Sequence, residues 1–413
     1  MTIHVDPDRL RDDFDALAAI GATADGGIER LALTPAHLEA RAWFLRRASE
    51  AGLETVVDAA GNHSAILPST APDAPTLLLG SHLDSVPRGG RFDGALGVLA
   101  ALEVLRVVQA ERLELPVALE AIDFSDEEGT LVGLLGSLAA AGALDADMLA
   151  APRGGRKALL AALARAGLDE ARLIDARRDP RTLAGYLELH IEQGPVLEQA
   201  GVQIGVVTAI VGSRSLELVF EGASAHAGTT PMAARRDAGL GAARFVDRVH
   251  ETVSSGFPGT VATVGSIELE PGAFNVVPGR ARVLLEFRAG TAAELDRLEQ
   301  RLLDEARSVA AAQRLELQAR PVGRWEPTAL DPSVRAVIAA AAASLGLSTQ
   351  ELASGAGHDA QALAQVTRAG MIFVPSVGGV SHQPGELTPW QDCVNGADVL
   401  LQSALGLALG APT

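Results

Sequence analysis

Gly80-Ser81-His82-Leu83-Asp84-Ser85-Val86-Pro87-Arg88-Gly89-Gly90-Arg91-Phe92-Asp93-Gly94 is the stretch from which the fold is read. The apolar run Thr76 to Leu79 feeds directly into it, which predicts a buried strand that opens into a loop at its C-terminal end. His82 and Asp84 are two residues apart, so strand periodicity expects them on one face. Asp93 follows in a glycine-rich turn just before a helical pattern, Gly97 to Val108. One imidazole and two carboxylates at the end of a strand suit a metal site. The same residues would also serve to cap or tie down a loop, so further ligands must come from elsewhere.

Working outward, a helix from Leu96 to about Glu111 leads to a strand, Leu115 to Phe124, which ends at Asp126-Glu127-Glu128-Gly129. Strand, loop, helix, strand is the rhythm of a mostly parallel sheet covered by helices. Such sheets carry their sites at the carboxyl ends of the strands, where both acidic loops fall. Residues 8 to 52 read as helical, with Thr34-Pro35 opening a second helix. Glu54 to Leu67, the stretch from Gly185 that breaks at Gly194-Pro195, and Gln203 to Ile210 read as strands, and 138 to 183 as helix and loop with a solvated basic face. From about 212 the texture changes. Ser213 to Phe220, Val261 to Glu268 and Arg280 to Ala289 read as strands with one exposed face; helices are expected at Ala234 to Val253 and Ala292 to Gln318, with one more short strand to close. That order is a small α+β, ferredoxin-like sandwich. After Trp325 come helices and two loops rich in glycine and histidine, Ser354 to Asp359 and Ser376 to Glu386. The expected fold is therefore α/β, a mixed, mostly parallel catalytic domain in two parts (1–211 and 323–413) around an inserted α+β domain (212–322).

Composition narrows the function classes. Of 413 residues, 48% are hydrophobic and 21% charged, and the formal net charge is −18. This is a globular composition whose surface repels nucleic acid and anionic membranes. The first residues lack a basic-then-apolar leader pattern, and no apolar run reaches the length of a membrane span. A single cysteine, Cys393, leaves no internal disulfide and fits the cytoplasm.

His82, Asp93, Glu127 or Glu128, His190 and His382 all lie at strand ends or in glycine-flanked loops. Three histidines and two carboxylates exceed the three protein ligands of one catalytic zinc. They suit two metals that share a carboxylate, with a water between them as nucleophile. One of Glu127 and Glu128 would then remain free as general base.

These motifs, GSHLDSVPRGGRFDG (80–94), DEEG (126–129), HIEQGP (190–195), the His226 region, NVVPG (275–279), SGAGHDA (354–360) and SHQPGE (381–386), resemble the M20 metallopeptidase-like group. Specifically, they are similar to its amidase branch of N-carbamoyl-L-amino-acid hydrolases, allantoate amidohydrolases and β-ureidopropionases. The resemblance covers nearly the whole chain and implies a catalytic domain of the zinc-exopeptidase type with a lid and dimerisation insert. It also implies that His82, Asp93 and His190 hold one divalent ion (Zn, or Mn, Co or Ni) and Asp93, Glu128 and His382 the second. Glu127 is then the base, and Asp84 orients His82. His226 would stabilise the oxyanion in the partner subunit of a homodimer. Gln193, Asn275, Arg288 and His358 would bind a small substrate carrying a carboxylate and a ureido or amide group; the pair Arg235-Arg236 is a second candidate for the carboxylate, or else a solvated helix face.

Histidine at 190 followed by Glu-Gln-Gly-Pro resembles the carbamoyl and ureido amidases more than the peptidases and acylases. Two departures from the family pattern stand out: Thr130-Leu131-Val132 replaces its usual Arg-Phe after the EEG, and Glu286 replaces its Asp two residues before the binding arginine. The implied reaction is hydrolysis of an N-carbamoyl-L-amino acid to amino acid, ammonia and carbon dioxide. Allantoate or β-ureidopropionate hydrolysis, N-acyl-amino-acid deacylation or peptidase action, and non-catalytic binding are the alternatives.

Overall fold

The computed structural model describes residues 2–410. It divides into two compact units, Met1–Thr208 with Ala329–Thr413, and Ala209–Thr328.

In the first unit, helices Pro7–Ala18 and Pro35–Glu50 precede strands β1 (Glu54–Val57), β2 (His63–Leu67), β3 (Thr76–His82), β4 (Ala118–Phe124), β5 (Leu183–Ile191) and β6 (Ile204–Ile210). Helix Ala95–Ala110 links β3 to β4. The second unit contains β7 (Gly212–Glu221), β8 (Ala225–His226), β9 (Val261–Glu270), β10 (Val276–Val277), β11 (Arg280–Ala289) and β12 (Glu316–Trp325). The chain then supplies β13 (Thr328–Ala329), β14 (Thr349–Ser354) and β15 (Ala369–Val374) before the closing helix Trp390–Leu409.

Among the described residues, the large sheet has nine strands, ordered β1-β2-β4-β3-β5-β15-β6-β13 with β14 on β6. Its centre, β4-β3-β5-β15, is parallel, and the flanking pairs β2–β4 and β15–β6 are antiparallel. Sequence reading places only helices and loops after Trp325. β15 is a short, uninterrupted apolar run, which periodicity does not separate from a buried helical segment. In the sheet it is a central strand and carries the loop that ends at Glu386.

Side chains alternate along the central strands. Leu77, Leu79, Leu187, Leu189 and Ile191 enter one core with Phe14, Phe44 and the helices Ala95–Ala110 and Trp390–Leu409. A second cluster, including Leu131, Val132, Leu135, Leu159, Leu163 and Leu173, forms around the segment after β4. The unusual Thr130-Leu131-Val132 thus serves packing: Leu131 and Val132 are buried there. Their amides, with that of Gly133, donate to the buried carboxylate of Asp126 at 2.6 to 3.0 Å.

In the second unit the sheet order is β12-β7-β11-β9, antiparallel throughout, which is the ferredoxin-like arrangement. Ala281, Val283, Leu285, Phe287 and Ala289 alternate inward along β11 against Phe245, Leu295, Leu298 and Leu302 of helices Ala238–Gly256 and Ala292–Gln313. The closing strand is ten residues long rather than short. Arg314 adopts φ 57° and ends the helix at Gln313, so Glu316 to Gln318 belong to β12 and not to the helix.

Arg41, wholly buried, secures the ends of the central strands. Its Nε lies 2.9 Å from Asp123 Oδ2, and its terminal nitrogens donate to Gly61 O, Ser125 Oγ and Phe124 O at 2.8 to 2.9 Å. Asp123 in turn accepts from Leu83 N at 2.8 Å. Arg41→Met should leave the Asp123 carboxylate buried without its counter-charge and cost on the order of 3–5 kcal/mol. Thermal or urea unfolding checks this, and a loss below about 1 kcal/mol would contradict the role.

Candidate metal centre

Parallel strands deliver the site residues to one edge. His82 is the last residue of β3 and pairs in register with Phe124, the last of β4; Glu127 and Glu128 follow three and four residues later. His190 lies one residue before the end of β5 and pairs with Phe373 of β15, whose outgoing loop carries Ser381 and His382. Asp93 arrives on the long turn after β3.

The two oxygens of Asp93 face different partners. Oδ1 is 3.0 Å from His190 Nε2 and 3.6 Å from His82 Nε2. Oδ2 is 3.1 Å from His382 Nε2, which is itself 3.6 Å from Glu128 Oε2. Two donor sets result, His82-Asp93-His190 and Asp93-Glu128-His382, each with ligand atoms within 4.8 Å of one another. Tetrahedral bonds of about 2.0–2.2 Å separate ligand atoms by about 3.3–3.6 Å, so these spacings fit a first-row divalent ion at each set.

Hydrogen bonds set the tautomers. His82 Nδ1–H donates to the main-chain carbonyl of Asp84 at 3.0 Å, and His190 Nδ1–H to that of Ile191 at 2.9 Å. Both Nε2 atoms are thereby turned inward, as metal-binding imidazoles require. Burial pushes the His82 imidazole down to about 4. Burial also opposes protonation of His190, yet the Asp93 carboxylate outweighs it and holds this imidazole at about 9. Gly94, at φ 64°, backs onto the His82 ring, and a Cβ there would lie 2.5 Å from two ring atoms.

β3 ends at His82, so Asp84 lies just beyond the strand. Its carboxylate stands 3.8 Å from His82 Nδ1 and turns toward the acidic loop instead, accepting from Glu127 N at 3.3 Å and Glu128 N at 3.2 Å. Orientation of the imidazole falls to the Asp84 carbonyl. Glu127 Oε2 is 3.5 Å from His82 Nε2. Burial, then the neighbouring charges of Asp359 and Glu128, drives the Glu127 carboxyl well above its usual range. Burial and Asp93 do the same to Glu128. Glu128 Oε1 is buried without a hydrogen-bond partner. Crowded carboxylates, an orphaned buried oxygen and inward-facing imidazole nitrogens are the environment that divalent cations stabilise.

The other expected residues divide between the units. Gln193, at φ 58°, donates from Nε2 to Asp93 Oδ2 at 2.8 Å and lies 3.2 Å from both Ser381 Oγ and His382 Nε2. His358 is buried behind His190, ring centroids 4.5 Å apart, with Nε2 2.7 Å from Ser354 Oγ. In the second unit, His226 and Asn275 meet on a short ladder: His226 pairs with Val276, and Ala227 N donates to Asn275 O at 2.9 Å. Exposed His226 accepts at Nδ1 from Gly228 N and Thr229 N at 3.1 and 3.2 Å, which leaves the proton on Nε2. Arg288 is half-exposed on β11 and bonded to Glu286 Oε1 at 2.8 Å. The pair Arg235-Arg236 serves the backbone: Arg235 Nε donates to Thr230 O at 3.0 Å and Arg236 Nε to Arg314 O at 2.9 Å.

Sequence reasoning assigned no role to two residues that shape this centre. Glu188 accepts from Ser81 Oγ at 2.7 Å and Ala360 N at 2.9 Å beneath His190. Glu386 accepts from the amides of Phe92 and Asp93. Strand position marks Glu188, two before His190, as a buried acid on the same face; nothing local marks Glu386 beyond its glycine-rich loop.

Known proteins place this geometry. The sequence pattern of the peptidase family M20/M25/M40 matches residues 78–405. An N-carbamoyl-L-amino acid amidohydrolase of Geobacillus stearothermophilus is 38% identical over 405 residues, 98% of this chain and 99% of that protein. A ureidoglycolate hydrolase of Arabidopsis thaliana is 34% identical over 99% of this chain and 88% of its own length. The crystal structure of a hydantoinase/carbamoylase family amidase from Burkholderia multivorans superimposes with a TM-score of 0.89 at 38% identity, covering 99% of both chains. With two donor sets about one carboxylate on this fold, the chain belongs to the M20 peptidase family, in its hydantoinase/carbamoylase branch.

Proposed function

We propose that this protein is a dinuclear metal-dependent amidohydrolase that cleaves N-carbamoyl-L-amino acids, or similar ureido acids, to the amino acid, ammonia and carbon dioxide. The observation that carries the reading is the division of the Asp93 oxygens between two donor sets with Glu127 beside them. His82, His190 and Asp93 Oδ1 would hold one ion; His382, Glu128 and Asp93 Oδ2 would hold the other. Imidazole and carboxylate donors admit Zn, Mn, Co or Ni. When bound, such ions polarise a carbonyl and make water acidic enough to attack at neutral pH.

The chain's own groups do the rest. Glu127 takes a proton from the attacking water and returns it to the leaving nitrogen, a role helped by the upward push that burial and neighbouring carboxylates give it. Asp84 holds the Glu127 and Glu128 amides, fixing base and ligand together. Gln193, bonded to Asp93 Oδ2, and His358, packed against His190, would bind the substrate. Arg288, whose Nε and Nη2 both donate to Glu286 Oε1, would bind the substrate carboxylate by exchanging that partner for it. The Geobacillus and Arabidopsis relatives, an N-carbamoyl-L-amino acid amidohydrolase and a ureidoglycolate hydrolase, support a substrate of this class.

The enzyme acts as a homodimer in which His226, beside Asn275, donates an Nε2–H hydrogen bond to the oxyanion forming in the partner's site. The exposed Nε2–H supports that donor role. Edge strand β9, with exposed Val261, Ile267 and Leu269, and the fully exposed Phe274 after it, supports pairing of two copies through this unit. No helix among the described residues is long and apolar enough to cross a membrane, and the single cysteine suits the cytoplasm.

Three outcomes are expected. In an ammonia-release assay across N-carbamoyl-L-amino acids, β-ureidopropionate and allantoate, run beside cleavage of N-acetyl amino acids and dipeptides, the carbamoyl acids give the highest kcat/KM; ammonia from none of the ureido substrates would sink the assignment. Glu127→Gln should lower kcat by roughly 10²–10⁴-fold while two ions per chain, measured by elemental analysis, are retained. Near-normal turnover in that variant would remove Glu127 from the mechanism. Finally, Glu127→Gln and His226→Ala chains, each inactive alone, should recover about a quarter of normal activity after random remixing, because half the dimers carry one intact site. No recovery despite subunit exchange would exclude donation across the interface.

A further inference from the structure

Three segments far apart in sequence meet behind Asp93. Glu386 Oε1 accepts from Phe92 N at 2.9 Å and from Asp93 N at 3.0 Å; Oε2 accepts from Ser381 Oγ at 2.7 Å. Ser381 precedes His382, and its Oγ lies 3.4 Å from Asp93 Oδ2. One carboxylate, 4% exposed, therefore binds both the backbone of the shared ligand and the loop that carries a ligand of the second set. The surroundings are fitted to it. A Cβ at Gly90 would lie 2.1 Å from Glu386 Cδ and Oε1, so only glycine lets that carboxylate reach the turn. A Cβ at Gly27 would lie 2.8 Å from Gly89 O and 2.9 Å from Pro384, and Ile28 N donates to Gly89 O at 2.9 Å. The 89–93 turn is thus gripped from both sides.

On the two-ion reading given above, we infer that Glu386 is a positioning residue of the metal centre, a clamp that sets the distance between Asp93 and His382 and so the spacing of the two donor sets. Glu386 hydrogen-bonds to none of the ligand atoms; it acts through the Asp93 amide and through Ser381. Partners of this kind typically change metal affinity or activity by about 10–100-fold.

Glu386→Asp keeps the charge and the burial but retracts the carboxylate by one methylene, whereas Glu386→Gln keeps the length and one acceptor oxygen. The experiment titrates metal-stripped wild type and both variants with Mn²⁺ or Zn²⁺ by calorimetry, then measures kcat and KM on an N-carbamoyl amino acid and thermal unfolding of each metal-free chain. For Glu386→Asp the expected result is about a 10–100-fold weaker second ion and a comparable fall in kcat, with KM within about threefold and Glu386→Gln recovering most of the loss. Equal affinity for both ions in wild type and Glu386→Asp would overturn the inference and leave the two-ion reading standing. So would a loss accompanied by an equal drop in metal-free stability in both variants, since that marks a packing role. Wild type that binds no second ion would remove the two-ion reading itself, and the clamp with it.

Discussion

A carboxylate placed where two sets of donors converge is the constraint around which this protein is built. Asp93 is buried, its two oxygens point to different histidines, and Glu127, Glu128 and Asp84 stand close by. Taking such charges out of water is unfavourable unless each finds a partner of opposite sign. Imidazoles meet part of the demand: His190 and His382 hold the Asp93 carboxyl well below its usual range, although burial pushes the other way. Glu127 and Glu128 are driven upward by burial and then by neighbouring carboxylates, first Asp359 for Glu127 and Asp93 for Glu128. The same crowding that makes the edge costly without ions makes it selective for them.

Holding that arrangement falls to groups that never enter the chemistry. Arg41 anchors the end of β4 through Asp123 and Phe124, and Asp123 passes the constraint to Leu83, the neighbour of His82. Arg30, equally buried, donates from Nε to Leu83 O at 3.0 Å, while Ser85 N donates to Arg30 O at 3.1 Å. Both sides of the residue after His82 are thereby fixed, its amide by an acid and its carbonyl by a base. Asp126 winds the following loop about its own carboxylate, so Glu127 and Glu128 emerge from a turn with little freedom. Ligand geometry of this kind depends on supporting hydrogen bonds as much as on the ligands.

Much of this was legible in the sequence where periodicity and position coincide. β3, β4 and β5 are apolar runs ending in polar, glycine-flanked loops, and the parallel-sheet rule brings those ends together. The ferredoxin-like order was legible from alternation along residues 213–220, 261–268 and 280–289. What escaped depends on contacts distant in sequence or on single backbone angles. The helix before β12 stops because Arg314 takes a left-handed conformation, and no residue pattern announces that. β15 reads as any short buried run. Strand spacing sets Asp84 near His82, but only the fold shows that its carboxylate also accepts from the amides of Glu127 and Glu128. Glu386 needed Phe92, Asp93 and Ser381 together before its position had meaning.

Ligand order along the chain adds a physical consequence. His82 and Asp93, Glu128, and His190 come from the part of the first unit before Ala209, and His382 with its support from Glu386 comes from the part after Thr328. The second donor set therefore cannot exist until Ala329–Thr413 has joined the sheet, with β15 parallel to β5. The first set, His82-Asp93-His190, draws on the earlier part alone. Binding at the second set stabilises only chains in which both parts have docked, because a preformed site is absent from the unfolded chain and binding free energy becomes folding free energy. Interrupting the catalytic unit with a separately packed domain lengthens the loop that must close, yet the entropic cost grows only with the logarithm of that length. At Asp93, whose amide donates to Glu386 Oε1, a side-chain hydrogen bond adds to the β5–β15 ladder that already joins the two parts.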